Sequence, residues 1–184
     1  MLIETSGSRA EHDEEKMTSF LESGMERGEI VDGTVTSDRG KIQQIWQLRE
    51  LIPTGIINEG YVFKYDISLP LSHFYEIVPA MQKQCGDLAT RVCGYGHIGD
   101  SNLHLNISCD DYTEQIHKRV EPFVYEYVSK LHGSISAEHG IGFLKPKYLK
   151  YSKDKVALQL MKDLKQLMDP NGILNPYKVL PEQL

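Results

Sequence analysis

The stretch Gly94-Tyr95-Gly96-His97-Ile98-Gly99-Asp100-Ser101-Asn102-Leu103-His104-Leu105-Asn106 constrains this chain more than any other. A glycine-rich turn runs into a strand pattern in which Leu103, Leu105 and Ile107 alternate with His104 and Asn106. Strand side chains alternate between faces, so the three apolar residues share one face and His104 and Asn106 point together to the other. Gly96 and Gly99 are expected to supply unusual backbone dihedrals around His97. A second polar pair, Glu138-His139, lies in an otherwise apolar run bounded by glycines. Two histidines and a glutamate are the ligand types of a borderline divalent metal. The expectation is that the two segments meet and hold one ion on His97, His104 and Glu138.

The glycine turn leads into a strand predicted over Asn102–Ser108; further strands are predicted over Met1–Thr5, Tyr61–Leu69, Ala89–Tyr95 and Gly133–Ala137, and a short strand or hairpin arm over Ile30–Thr36. If Tyr61–Leu69 is regular, Val62, Lys64, Asp66 and Ser68 lie on one face. Helical spacing of apolar residues predicts helices over Ser8–Arg27, Asp38–Leu51, Pro70–Gln84, Asp110–Leu131 and Lys153–Met168. Pro79 and Pro122 fall inside two of these and predict kinks or first turns. Hairpin-like and crossover links are mixed. The fold class expected is therefore α+β, an antiparallel or mixed sheet with helices packed mainly on one face. At 184 residues, with no repeat or low-complexity linker, residues 1–184 read as one domain.

Composition narrows the function classes. Formal net charge is −6 with no basic block, against non-specific nucleic-acid binding. Hydrophobic content of 40% and charged content of 25% are those of a soluble globular protein, and no apolar run reaches the length of a membrane span. Cys85, Cys93 and Cys109 form an odd set without close-pair spacing, which points to a reducing compartment and no disulfide framework. No phosphate loop, dinucleotide fingerprint or nucleophile elbow is present.

Each candidate residue has a plainer alternative. His97 and His104 are either metal ligands or satisfied polar residues at a sheet edge. His139 is either a general base near neutral pH or a surface histidine. Asn106 either bonds a ligand near the metal or faces solvent. Arg49 and Lys64 suit a carboxylate, or are snorkelling surface charges. Lys145, Lys147, Lys150, Lys153 and Lys155 form a basic stretch, either a solvated loop or a site for an acidic substrate or partner. On the residues alone, a metal-dependent hydrolase with His139 activating water, or a non-catalytic binding module, are readings of other classes.

Three ordered motifs carry a resemblance: Gly96-His97-Ile98-Gly99-Asp100-Ser101-Asn102-Leu103-His104, Ser136-Ala137-Glu138-His139-Gly140-Ile141-Gly142, and Met168-Asp169-Pro170-Asn171-Gly172-Ile173-Leu174-Asn175-Pro176. Together with Tyr61–Pro70 and Leu2–Gly7 they resemble the C-terminal part of FAD-linked 2-hydroxyacid dehydrogenases of the vanillyl-alcohol oxidase or p-cresol methylhydroxylase type. The resemblance implies that His97, His104 and Glu138 are zinc ligands and His139 the catalytic base. It implies that Arg49, Lys64 and Asn106 contact the substrate and that Asn175 approaches the flavin. The implied reaction oxidises a small 2-hydroxy dicarboxylate, D-2-hydroxyglutarate, to 2-oxoglutarate with FAD. An electron-transfer flavoprotein is the implied acceptor and the mitochondrial matrix the implied location. Ser101 stands where the family motif has glycine, and Pro53, followed by Thr54, where it has a substrate-binding threonine. The family's FAD-binding domain precedes this segment and is not part of it. The chain is therefore expected to be a substrate- and metal-binding domain truncated at its N-terminal edge, a fragment or truncated isoform inactive in the full reaction.

Overall fold

The computed structural model describes residues 1–181. The chain divides into two compact units, Met1–Thr54 and Gly55–Leu184. Sequence pattern placed no boundary there, because a helix-rich segment runs up to it without a linker composition.

The first unit is helical. α1 spans Ala10–Glu26 and α2 spans Arg39–Glu50. Asp38 caps α2, its side chain accepting from the Lys41 amide. Trp46 donates to Glu4 at 2.6 Å. Met1–Thr5 and Ile30–Thr36 are irregular rather than extended strands. Both have β-compatible residues, but a strand exists only where a second strand pairs with it. A short helix not expected from sequence, α3, covers Ile52–Ile57, with Pro53 in its first turn, where a missing N–H costs nothing.

The second unit is built on β1 (Tyr61–Ser68), β2 (Arg91–His97) and β3 (Asn102–Cys109). They form one antiparallel sheet in the order β1-β3-β2. Phe63, Tyr65 and Ile67 from β1 and Leu103, Leu105 and Ile107 from β3 are buried on one face. α4 (Ile77–Cys85) and α5 (Glu114–Lys130) contribute to the same core, through Ile77, Val78 and Met81 and through Ile116, Val120, Val124 and Val128. Helices on one face of an antiparallel sheet are the α+β arrangement read from the sequence. The helix expected over Pro70–Gln84 begins late: Leu71–His73 is a 3₁₀ turn, and Pro79 falls in the first turn of α4, where it is tolerated. Pro122 lies within α5. Gly133–Ala137 makes only an isolated bridge, Ser68 to Ser134, so the expected strand is a bent loop laid along the end of β1.

α6 (Lys155–Met168) is capped by Asp154 and buries Leu158. Its apolar positions Val156, Leu160, Leu164 and Leu167 are exposed.

Candidate metal and substrate site

Antiparallel pairing decides which side chains of the polar face stand together, because residues directly opposite share a face. Lys64 pairs with Asn106, and Asn106 with Cys93. Asp66 pairs with His104, and His104 with Tyr95. Ser68 pairs with Asn102, and Asn102 with His97. These three rungs of hydrogen-bonding and titratable groups lie on the polar side of the sheet, backed by the apolar core.

The β2–β3 connection is Ile98-Gly99-Asp100-Ser101. Asp100 accepts from the Asn102 amide at 3.1 Å, and Ser101 takes the left-handed conformation at φ 62°. The unusual dihedral thus falls on Ser101, not on Gly96 or Gly99. Gly96 is required for another reason: a Cβ there would lie 2.0 Å from the Asn102 carbonyl oxygen. The close approach keeps His97 level with Asn102 at the end of the ladder.

His104 is the centre of the site. Its ring lies 5.9 Å from that of His97, edge to face, and 5.8 Å from that of His139, stacked. Its Nδ1 is 3.6 Å from Asp66 Oδ1. Ligand atoms of Asp66, His104 and His139 all lie within 4.8 Å of one another. Of the three metal ligands expected from sequence, His104 belongs to this group. His97 flanks it, while Glu138 is exposed and enters through its backbone N–H.

Asp66 is the residue that sequence reasoning missed. Strand alternation places it on the face of Lys64, with no motif to mark it. It is 2% exposed, and its Oδ2 accepts from the Glu138 and His139 amides, each at 2.8 Å. Its Oδ1 is buried without a hydrogen-bond partner. Burial works to raise its pKa, but the His139 and Glu138 amides, with the His139 and His104 rings, hold the carboxyl below its usual range. The signal available in the sequence was an acid on the polar face of a strand, opposite a histidine once the register is known.

Asn106 is 4% exposed and donates to the His104 carbonyl at 3.3 Å, while Lys64 opposite it is exposed. The two therefore offer a solvent-reachable cation beside a fixed amide. Lys145, from the basic stretch, is half-buried and donates to the Ile135 carbonyl at 3.2 Å. Burial pushes its ammonium pKa down, against the pull of Asp66 and Glu121. Arg49 is half-buried in the last turn of α2, in the first unit. Asn175 is exposed at φ 45° in the segment after α6. All three cysteines are free thiols, and among the described residues no helix is long and apolar enough to cross a membrane.

The chain is 48% identical over 181 residues to the mitochondrial D-2-hydroxyglutarate dehydrogenase of Rattus norvegicus, covering 98% of this chain and 34% of the rat protein. It is 47% identical over 184 residues to the protein of that name from Arabidopsis thaliana, covering 100% of this chain and 33% of the relative. A D-2-hydroxyglutarate–pyruvate transhydrogenase of Saccharomyces cerevisiae is 44% identical over 189 residues, with 98% and 38% covered. The chain thus spans about a third of the length of the relatives it matches. Residues 1–179 match the model of the family described as FAD linked oxidases, C-terminal domain, and with nearly the whole chain inside that match, the chain belongs to this family.

Proposed function

We propose that this chain is the substrate- and metal-binding domain of an FAD-dependent dehydrogenase that oxidises D-2-hydroxyglutarate to 2-oxoglutarate. The observation that carries the reading is the shared polar face: Lys64 and Asn106 on one rung, His104 on the next, His97 on the last, with His139 stacked against His104. D-2-hydroxyglutarate recurs in the names of relatives whose reactions otherwise differ, a dehydrogenase and a transhydrogenase. A domain common to both would recognise what they share.

His97, His104 and Glu138 would hold the ion, zinc in this reading. The residues present fit it: two imidazoles converge from adjacent strands, their ring centroids 5.9 Å apart, and imidazole and carboxylate are the donor types zinc takes. A bound divalent ion supplies Lewis acidity, which lowers the pKa of a nearby alcohol. Lys64 binds a substrate carboxylate, and Asn106 fixes the orientation of the C2 end. His139 takes the proton of the 2-hydroxyl as general base. FAD, when bound, would accept the hydride that leaves C2, and Asn175 is the residue here that would contact it. In this reading the FAD-binding part of such an enzyme belongs to the two thirds of the relatives' length that this chain does not match. The exposed stripe Val156, Leu160, Leu164 and Leu167 on α6 supports its docking there. In this reading an electron-transfer flavoprotein is the partner that reoxidises the flavin and the mitochondrial matrix is the location; the relatives' names support the mitochondrion.

Metal content of the purified chain, by elemental analysis for wild type beside His104→Ala, tests the reading. About one zinc per chain, lost in the variant, supports it. A well-folded wild type that takes up no zinc when it is supplied overturns the metal assignment.

A further inference from the structure

We propose that Asp66 is a positioning residue: it sets the tautomer of His104 while pinning the Glu138-His139 pair beside it. The proposal deepens the metal reading above and rests on it for its consequence, though not for its geometry.

One residue of β1 holds three consecutive amides of a distant loop. Its carbonyl accepts from Ala137 at 3.3 Å, and its Oδ2 accepts from Glu138 and His139 at 2.8 Å each. These bonds fix the direction of the carboxylate and leave Oδ1 aimed at His104. Oδ1 is buried and has no hydrogen-bond donor, with His104 Nδ1 at 3.6 Å. A buried acceptor without a donor is costly, and an imidazole lone pair facing a carboxylate oxygen is repulsive. Placing the proton on Nδ1 relieves both. Nε2 then carries the ring's lone pair, the state an imidazole needs in order to ligate through that atom. A carboxylate behind a ligating histidine fixes both ring orientation and basicity. Here it comes from the strand directly opposite the histidine.

The strand position also separates two jobs. An asparagine at 66 keeps an oxygen able to accept both loop amides, so the loop stays pinned. Its NH₂ group then faces His104 Nδ1 as a donor, and the ring must turn its lone pair toward it. The isosteric change therefore reverses the tautomer without removing the anchor.

The test is the ¹⁵N spectrum of His104 in the metal-free chain, at a pH where the ring is neutral, with zinc affinity measured by chelator competition. In wild type the Nδ1–H tautomer is expected. In Asp66→Asn the Nε2–H tautomer is expected, with thermal stability within a few degrees and zinc affinity lower by about 10–100-fold. An Nε2–H tautomer in the wild type overturns the proposal by itself, so it does not depend on any variant folding. An unchanged tautomer in folded Asp66→Asn overturns it equally. If wild type binds no zinc, the metal reading fails, while the spectra still decide the role of Asp66.

Discussion

Lys64 and Asn106 stand directly opposite each other on β1 and β3, one same-face rung from the Asp66–His104 pair. In the proposed function this exposed cation and buried amide form a two-point grip for one end of a small hydroxy dicarboxylate. Removing a charge-assisted bond costs about 1.5–3 kcal/mol, so Lys64→Ala should weaken D-2-hydroxyglutarate binding to the zinc-loaded chain by about 10–100-fold. Lys64 is exposed, and the variant should melt with the wild type. An unchanged dissociation constant by calorimetric titration would remove Lys64 from the substrate site.

Ser101 holds a left-handed backbone in the β2–β3 turn. Ser101→Gly should stabilise the chain by about 0.5–1 kcal/mol, the left-handed penalty of an L-residue less the extra chain entropy of glycine. Zinc uptake should be unaffected. Urea denaturation of the two proteins measures the difference, and a loss of stability would mean that the serine side chain earns its place.

Gly96 has the opposite sensitivity. A Cβ there meets the Asn102 carbonyl oxygen at 2.0 Å, and backbone cannot step aside as a side-chain tip can. Gly96→Ala should cost about 1–3 kcal/mol and lower zinc affinity, because His97 pairs with Asn102 across the same gap. A variant as stable as wild type would show that the strands separate freely at this end.

Asp169 accepts from Lys165 and from the Ile173 and Leu174 amides at 3.0 and 2.9 Å. The Lys165 bond first, then the Leu174 amide, hold its pKa below the usual carboxylate value. A depressed folded-state pKa gives stabilisation that is complete above the unfolded-state value of about 3.9 and is lost as pH falls through the folded one. The protection factors of the Ile173 and Leu174 amides should therefore be flat from about pH 5 to 7 and fall below about pH 4. Loss of protection already at neutral pH would exclude the carboxylate as their anchor.

Cys85 is buried in the core, its thiol pushed up to about 11 chiefly by burial. Near pH 8 its alkylation should be at least about 100-fold slower than that of an ordinary thiol, since the thiolate is the reactive form. Mass spectrometry of peptides after timed iodoacetamide treatment reads the rate directly. Rapid labelling of Cys85 in folded protein would contradict its burial.

Local pattern carried much of the fold. Period-two alternation located β1, β2 and β3 to within about two residues at each end, and assigned Leu103, Leu105 and Ile107 to one face and His104 and Asn106 to the other. Helical spacing found α1, α2, α5 and α6, because amphipathic periodicity is a property of neighbouring residues. The same reasoning overreached at Met1–Thr5, Ile30–Thr36 and Gly133–Ala137, where extended residues have no ladder to join. It also passed over α3.

The motifs around His97, His104 and Glu138-His139 single out the residues of the proposed site, and the sequence by itself determined which residue types could meet there. Only the tertiary structure decided how they meet. Register is a choice between chains of hydrogen bonds, so nothing local told Asp66 that its opposite number is His104. Nor could any local signal join Asp66 to amides 72 and 73 residues away, a contact made because the loop after α5 returns along the end of β1. Alternation fixes a side chain's face; pairing and chain return fix its neighbours, and at this site the neighbours of His104 set what it can do.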